Sequence, residues 1–172
     1  LPKEATLCAG ISDAEGLGMA WTHASLGPTT VLEVADDGGW NIRILHPVAQ
    51  AIHADALRWG ALETGGALIG RISFENRTIT IAGIVDAPPD SIREAARFVL
   101  GMNGLVQNLR TANRTSLGYL AFIGTWHSHP NGGAHSGIDR NTLRSIAEDA
   151  GGLPAVSLVW TPTGLRCAVD RW

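Results

Sequence analysis

His127 and His129 stand two residues apart at the end of an apolar run, and Asp139 follows ten residues after the second of them. In an extended backbone, positions i and i+2 share a face, so the two imidazoles can reach a single metal ion. Pro130 ends the strand directly behind them. With a carboxylate oxygen from Asp139, the set is two histidines and one carboxylate, the fourth position being left to water. That is the ligand set of a catalytic zinc site. Zinc held at ~2.0–2.2 Å from these atoms lowers the pKa of water to about 7. A base is still needed to take the proton and pass it to a leaving amine. Glu63 is the leading candidate: it opens an otherwise apolar strand, and Gly65 and Gly66 beyond it let other backbone approach. Each signal also has a plainer reading. A lone His-x-His commonly faces solvent or hydrogen-bonds within a core. Ser136-x-x-Asp139 ahead of a helix is a capping box. Glu63 taken alone is a charge at a strand end. The chemical reading rests on their conjunction.

Positioning these groups requires strands that end at the histidines and at Glu63, and a helix that starts at Asp139. Leu117–Trp126 reads as a buried strand running into His127, and Gly137–Ala150 as a helix with Leu143, Ile146 and Ala147 inward. Leu62–Ile72 is a buried strand with close backbone approach at its glycines. Upstream, Trp40–Leu45 alternates as a strand. His46-Pro47 opens a helix on which Val48, Ile52, Ala56 and Trp59 share a face, ending near Gly60. Arg77–Val85 is a β-branched strand after a turn at Glu75-Asn76. Ser91 with Glu94 forms a capping-box signature, and Ala95, Val99, Met102, Val106 and Leu109 then predict a long helix that Gly101 and Gly104 weaken. Ala155–Trp160 and Leu165–Val169 are strands joined by Thr161-Pro162-Thr163-Gly164. The alternation predicts a mixed α/β fold. Residues 1–33 show no sustained period and read as an irregular extension, with a short strand at Thr29–Val34 and the main domain over 34–172.

Composition bounds the function class. The chain has 172 residues, 45% of them hydrophobic and 17% charged, which suits one domain with a core of its own. Net charge is −3, against a general electrostatic grip on nucleic acid or an anionic membrane. No apolar run approaches the ~18–20 residues of a membrane span. Cys8 and Cys167 form no CxxC, so neither a cysteine metal site nor a disulfide framework is expected, and a reducing, cytoplasmic setting is the default.

The combination of Glu63, His127-Ser128-His129-Pro130, Ser136 and Asp139 resembles the JAMM metalloproteases, also called the MPN-plus or JAB domain family. The likeness runs from about Trp40 to Val169. It includes the Glu63-Thr64-Gly65-Gly66 strand and Gly124-Thr125-Trp126, which look like the family's bacterial members. The resemblance implies a JAB/MPN (cytidine-deaminase-like) architecture, a central mixed, curved sheet flanked by helices. It implies one Zn2+ per chain on His127, His129 and Asp139, with Glu63 as general base and then general acid. Ser136 would donate to the tetrahedral oxyanion. The implied activity is hydrolysis of peptide or isopeptide bonds after the tail of a ubiquitin-like protein, on that protein or its conjugate. A ubiquitin-activating-type domain in the same chain or operon is a further implied partner. The alternatives are a zinc hydrolase of small amides or thio-adducts, and a non-catalytic MPN scaffold. The sequence departs from the pattern once: six residues, not seven, separate His129 from Ser136, a shortening that Gly132-Gly133 can absorb. His135 reads as a neighbour of the site and not a ligand. The glycine pairs Gly65-Gly66 and Gly132-Gly133 are expected to line the approach of an extended substrate.

Overall fold

The computed structural model describes residues 6–12, 19–25, 31–35 and 39–170, with side chains from Gly39 onward. The chain divides into two compact units, Leu1–Thr30 and Val31–Trp172. In the first, β1 (Thr6–Ser12) pairs antiparallel with β2 (Met19–Ser25). Where the sequence reads as an irregular extension to residue 33, the chain thus forms a hairpin.

The larger unit begins with β3 (Val31–Ala35), which already belongs to the main sheet. There follow β4 (Asn41–Leu45), α1 (His46–Trp59), β5 (Gly65–Ser73) and β6 (Thr78–Asp86). A small hairpin of β7 (Ile92–Glu94) and β8 (Arg97–Val99) precedes α2 (Leu105–Thr115). The chain closes with β9 (Ala121–Ser128), α3 (Gly137–Asp149), β10 (Ala155–Thr161) and β11 (Gly164–Asp170). Seven strands form one mixed sheet in the order β11-β10-β9-β5-β6-β4-β3. β9 runs parallel to β10 and β4 parallel to β6, the other neighbours being antiparallel. The edge strands β11 and β3 touch, so the sheet is curved and nearly closed. This is the mixed α+β architecture that the sequence predicts.

One face of the sheet builds the core. In β4, Ile42 and Ile44 are buried while Asn41 and Arg43 are exposed, the period of two that a half-buried strand shows. On α1, Val48, Ile52 and Ala56 are buried at intervals of four and meet Ile79 and Ile81 of β6 and Leu158 of β10 in one cluster. Pro47 sits in the first turn of α1, where its missing N–H costs nothing. A smaller cluster, Leu143, Ala147 and Ala155, seats α3 on β10.

The long helix predicted from Ser91 does not form. Ser91 Oγ accepts the Gly101 amide at 2.9 Å, and the Asp90 carboxylate accepts the amides of Met102 (2.9 Å) and Asn103 (3.2 Å). These bonds fold the segment back on itself, and the apolar spacing that reads as helical is divided between the β7–β8 hairpin and the start of α2. The helix begins only at Leu105, after Gly104, and continues to Thr115. β9 in turn starts at Ala121, not Leu117, and runs through His127 to Ser128.

A bulge prepares β9 for the site. Its register with β5 shifts between Leu68 and Ile69, leaving Ile123 as the extra residue. Bulges of this kind re-aim the side chains that follow. Gly124, next in line, has φ +145°, and a Cβ there would fall on the Val156 carbonyl of β10. Gly124→Ala is therefore expected to lose at least ~3 kcal/mol of stability, the upper end of what one forced backbone conformation costs. Urea unfolding measures it, and a midpoint equal to the wild type would contradict the assignment.

Candidate metal centre

β9 ends and α3 begins at one cleft of about 270 Å³. His127 is the penultimate residue of β9. His129 lies just past the strand, its amide bonded to the Trp160 carbonyl of β10 at 2.8 Å. Their Nε2 atoms stand 3.0 Å apart. The loop from Pro130 to His135 then reverses the chain. Gly132 (φ +81°) and Gly133 (φ +115°) both take the left-handed conformation, and the Gly132 amide returns to the His129 carbonyl at 2.9 Å. The loop is one residue shorter than the family pattern, and two glycines in a row let it turn tightly enough to bring α3 back to the histidines.

α3 opens with a capping box. Ser136 Oγ accepts the Asp139 amide at 3.2 Å, and the Ser136 amide donates to Asp139 Oδ2 at 2.6 Å. The plain reading of Ser136-x-x-Asp139 is thus realised, and it serves the site. The box holds the Asp139 carboxylate so that Oδ1 lies 3.3 Å from His127 Nε2 and Oδ2 lies 3.7 Å from His129 Nε2. Glu63 precedes β5. Its amide donates to the Glu94 carbonyl of β7 at 2.8 Å, and its Oε1 lies 4.0 Å from His129 Nε2. The four side chains are only 12–16% exposed.

Burial sets the charge states. It pushes the Glu63 carboxyl up, against the pull of His127. Burial also pushes His129 down, as does His127 beside it, which favours the neutral imidazole with a lone pair to offer. For Asp139, burial works upward, but the bonds from His127 and the Ser136 amide outweigh it and hold the carboxyl well below the usual carboxylate range. A neutral imidazole and an ionised carboxylate are the forms that a metal requires.

The donor set fits a metal ion. His127, His129 and Asp139 offer ligand atoms that all lie within 4.8 Å of one another. Atoms bound at about 2.0–2.1 Å to a tetrahedral ion stand roughly 3.3–3.4 Å apart, and the observed separations of 3.0, 3.3 and 3.7 Å bracket that value. Glu63 lies outside this group, its Oε1 4.0 Å from His129 Nε2.

The structure brings together every residue singled out from the sequence: Glu63, His127, His129, Ser136 and Asp139 all line the cleft. His135 is not among the converging donors. Its Nε2 bonds to the Ser157 carbonyl at 3.1 Å, and burial pushes its pKa down. One expectation is corrected. Gly65 and Gly66 do not leave room for a substrate. A Cβ on Gly65 would meet the Trp126 carbonyl and the Phe98 ring at 2.5 Å. One on Gly66 would meet the Val85 carbonyl at 2.5 Å and the Trp126 indole nitrogen at 2.9 Å. These glycines admit internal packing. Phe98, from the β7–β8 hairpin, lies over Gly65 and lines the cleft. The hairpin is held by Arg93, whose guanidinium lies 4.2 Å from the Trp59 ring centroid and 5.9 Å from that of Phe98. Sequence reading missed the hairpin because the 92–99 stretch also fits a helical spacing.

Among the described residues no helix is long and apolar enough to cross a membrane. The family model for prokaryotic homologs of the JAB domain matches residues 45–170. A CD-NTase/cGAS isopeptidase of Enterobacter hormaechei is 33% identical over 112 residues, 64% of this chain and 61% of that protein. A probable metalloprotease of Sinorhizobium fredii is 35% identical over 107 residues, 61% of this chain and 65% of that protein. The chain thus matches less than two thirds of the length of either relative. The solution structure of a Desulfitobacterium hafniense protein superposes with a TM-score of 0.50 at 18% identity, covering 76% of this chain and 89% of that one, a likeness of fold.

Proposed function

The chain belongs to the prokaryotic homologs of the JAB domain, and on that premise we propose that it is a JAMM-type zinc metallopeptidase. Its substrate would be the peptide or isopeptide bond after the C-terminal tail of a ubiquitin-like protein. One observation carries the hydrolytic reading: the convergence of the His127, His129 and Asp139 donor atoms, with Glu63 Oε1 4.0 Å from His129 Nε2, in one cleft. The names of the two relatives, an isopeptidase and a probable metalloprotease, support the class of bond.

His127, His129 and Asp139 would hold the ion. When bound, zinc supplies Lewis acidity, making water nucleophilic near neutral pH and polarising an amide carbonyl. Glu63 takes the proton from the attacking water and returns it to the leaving amine, and burial pushes its carboxyl up from the ordinary value. Ser136 donates its hydroxyl proton to the developing oxyanion, a contact worth about 3 kcal/mol in other hydrolases. No covalent intermediate is required, so neither cysteine takes part. A ubiquitin-activating-type domain, in the same chain or operon, is the further partner that this reading implies.

The cleft holds little more than the residues flanking the scissile bond, so a tail must reach it along the surface. β8 pairs only with β7 among the described strands, and Arg97 and Phe98 on it border the cleft. An extended tail can add to that edge through main-chain hydrogen bonds. With Phe98 lining this narrow cleft, the two positions nearest the cut would be glycine. Replacing the penultimate glycine of a cleaved ubiquitin-like tail by alanine is expected to lower kcat/KM far more than a change five residues upstream. Equal tolerance at both positions, or turnover of small amides without response to any such tail, would favour the small-amide hydrolase instead.

A further inference from the structure

Taking the hydrolytic reading as its basis, we propose that Ser128, between the two histidines, is a positioning residue whose hydroxyl sets the distance of Glu63 from the ligand group. Thr64 and Ser128 are 0% and 1% exposed. β5 and β9 pair antiparallel up to Gly65 and His127, and Thr64 and Ser128 are the next opposed residues. In a regular antiparallel ladder such a pair exchanges two backbone bonds. Here only one of them is backbone to backbone: the Ser128 amide donates to the Thr64 carbonyl at 2.7 Å. The Thr64 amide instead donates to Ser128 Oγ at 2.9 Å. The hydroxyl stands where the strand carbonyl would, at the point where the next residue turns to β10 through the bond from the His129 amide to the Trp160 carbonyl.

This bond has a consequence on each strand. On β9, Ser128 lies between His127 and His129, so it belongs to the same rigid piece as two of the three ligands. On the other strand, Thr64 follows Glu63 directly. Thr64 is also gripped from behind: its Oγ1 donates to Asp55 of α1 at 3.0 Å and accepts from Arg93 Nε of β7 at 3.3 Å. The backbone that carries the base is therefore clamped between α1 and β7 on one side and the histidine strand on the other. The Ser128 hydroxyl is the side-chain link across that joint. Alanine removes it without touching a ligand or the base, and leaves a buried amide without an acceptor. A shift of about 1 Å in a reacting group can cost on the order of 10²-fold in rate.

The test compares Ser128→Ala and Ser128→Thr with the wild type by three readouts: hydrogen exchange of the Thr64 amide by NMR, zinc content, and steady-state kinetics on a ubiquitin-like tail fusion. Ser128→Ala is expected to speed Thr64 exchange at least about tenfold. It should keep one zinc per chain, keep KM within about twofold and lower kcat about 10–100-fold. Ser128→Thr keeps the hydroxyl and should restore both exchange protection and kcat. Unchanged Thr64 exchange, unchanged kcat, or loss of zinc in Ser128→Ala would each overturn the assignment. If the alanine variant does not fold, Ser128→Cys carries the same test, because it preserves packing and weakens the acceptor. A wild type inactive on every tail would defeat the peptidase reading alone, and the exchange and zinc readouts would still decide the clamp.

Discussion

Asp139→Ala is expected to leave the chain without tightly held zinc. The carboxylate is one of three donors, and the two that remain are imidazoles two residues apart at the end of β9. Losing an outer-shell partner already costs about 10–100-fold in metal affinity, so loss of a direct ligand should exceed 100-fold. Elemental analysis after gel filtration, with a competition titration, measures this. The aspartate has a second duty, because its Oδ2 accepts the Ser136 amide and starts α3. Alanine removes the box as well as the ligand, at about 1 kcal/mol for the lost cap. Asp139→Asn separates the two, since an amide oxygen still accepts that bond while the negative charge is gone. The asparagine variant should fold like the wild type and still bind zinc poorly. A full equivalent of zinc in both variants would remove Asp139 from the ligand set. His127→Ala should match the aspartate result in metal loss but leave α3 unaffected, because His127 takes no part in the cap.

Glu63→Gln should separate binding from chemistry. The glutamate lies 4.0 Å from His129 Nε2 and outside the group of converging donors. Glutamine fills the same space and leaves the Glu63–Glu94 backbone bond intact. The variant should therefore keep one zinc per chain. It cannot accept a proton and return it, and turnover should fall about 10²–10⁴-fold, the usual weight of general acid–base work. Loss of zinc in this variant would make Glu63 a ligand. Turnover near the wild-type rate would place the base elsewhere.

Much of the site was legible because its parts are local. His127 and His129 flank the last residue of one strand, and Ser136 and Asp139 share one helix turn, so spacing alone relates each pair. The helix α1 was equally plain, since Val48, Ile52, Ala56 and Trp59 recur at intervals of four, four and three behind Pro47, and the step of three breaks the alternation of a strand. The segment 91–109 was misread for the converse reason. Its apolar spacing fits a helix, but Asp90 and Ser91 capture the amides of Gly101, Met102 and Asn103, and a bond between side chain and distant backbone leaves no periodic trace. Gly65 and Gly66 were likewise read as open approaches. The space beside them is filled by Phe98 and Trp126, which local sequence cannot place there.

By itself, the sequence determined the chemical inventory: two imidazoles on one strand end, a carboxylate at a helix start, a glutamate at another strand end, and an alternation of elements that yields a mixed sheet. Residue type and short spacing are properties of a few consecutive residues, and they survive any arrangement of the rest. Tertiary structure alone decided that Glu63, separated from His127 by more than sixty positions, stands 4.0 Å from His129. It decided that a shortened loop still returns Asp139 to the histidines, and that Thr64 and Ser128 join the two strands by a side-chain hydroxyl. Those are pairings across a sheet whose register is set by which faces bury Ile42, Ile79, Leu158 and their neighbours. Register is a collective result of packing, so no single segment contains it.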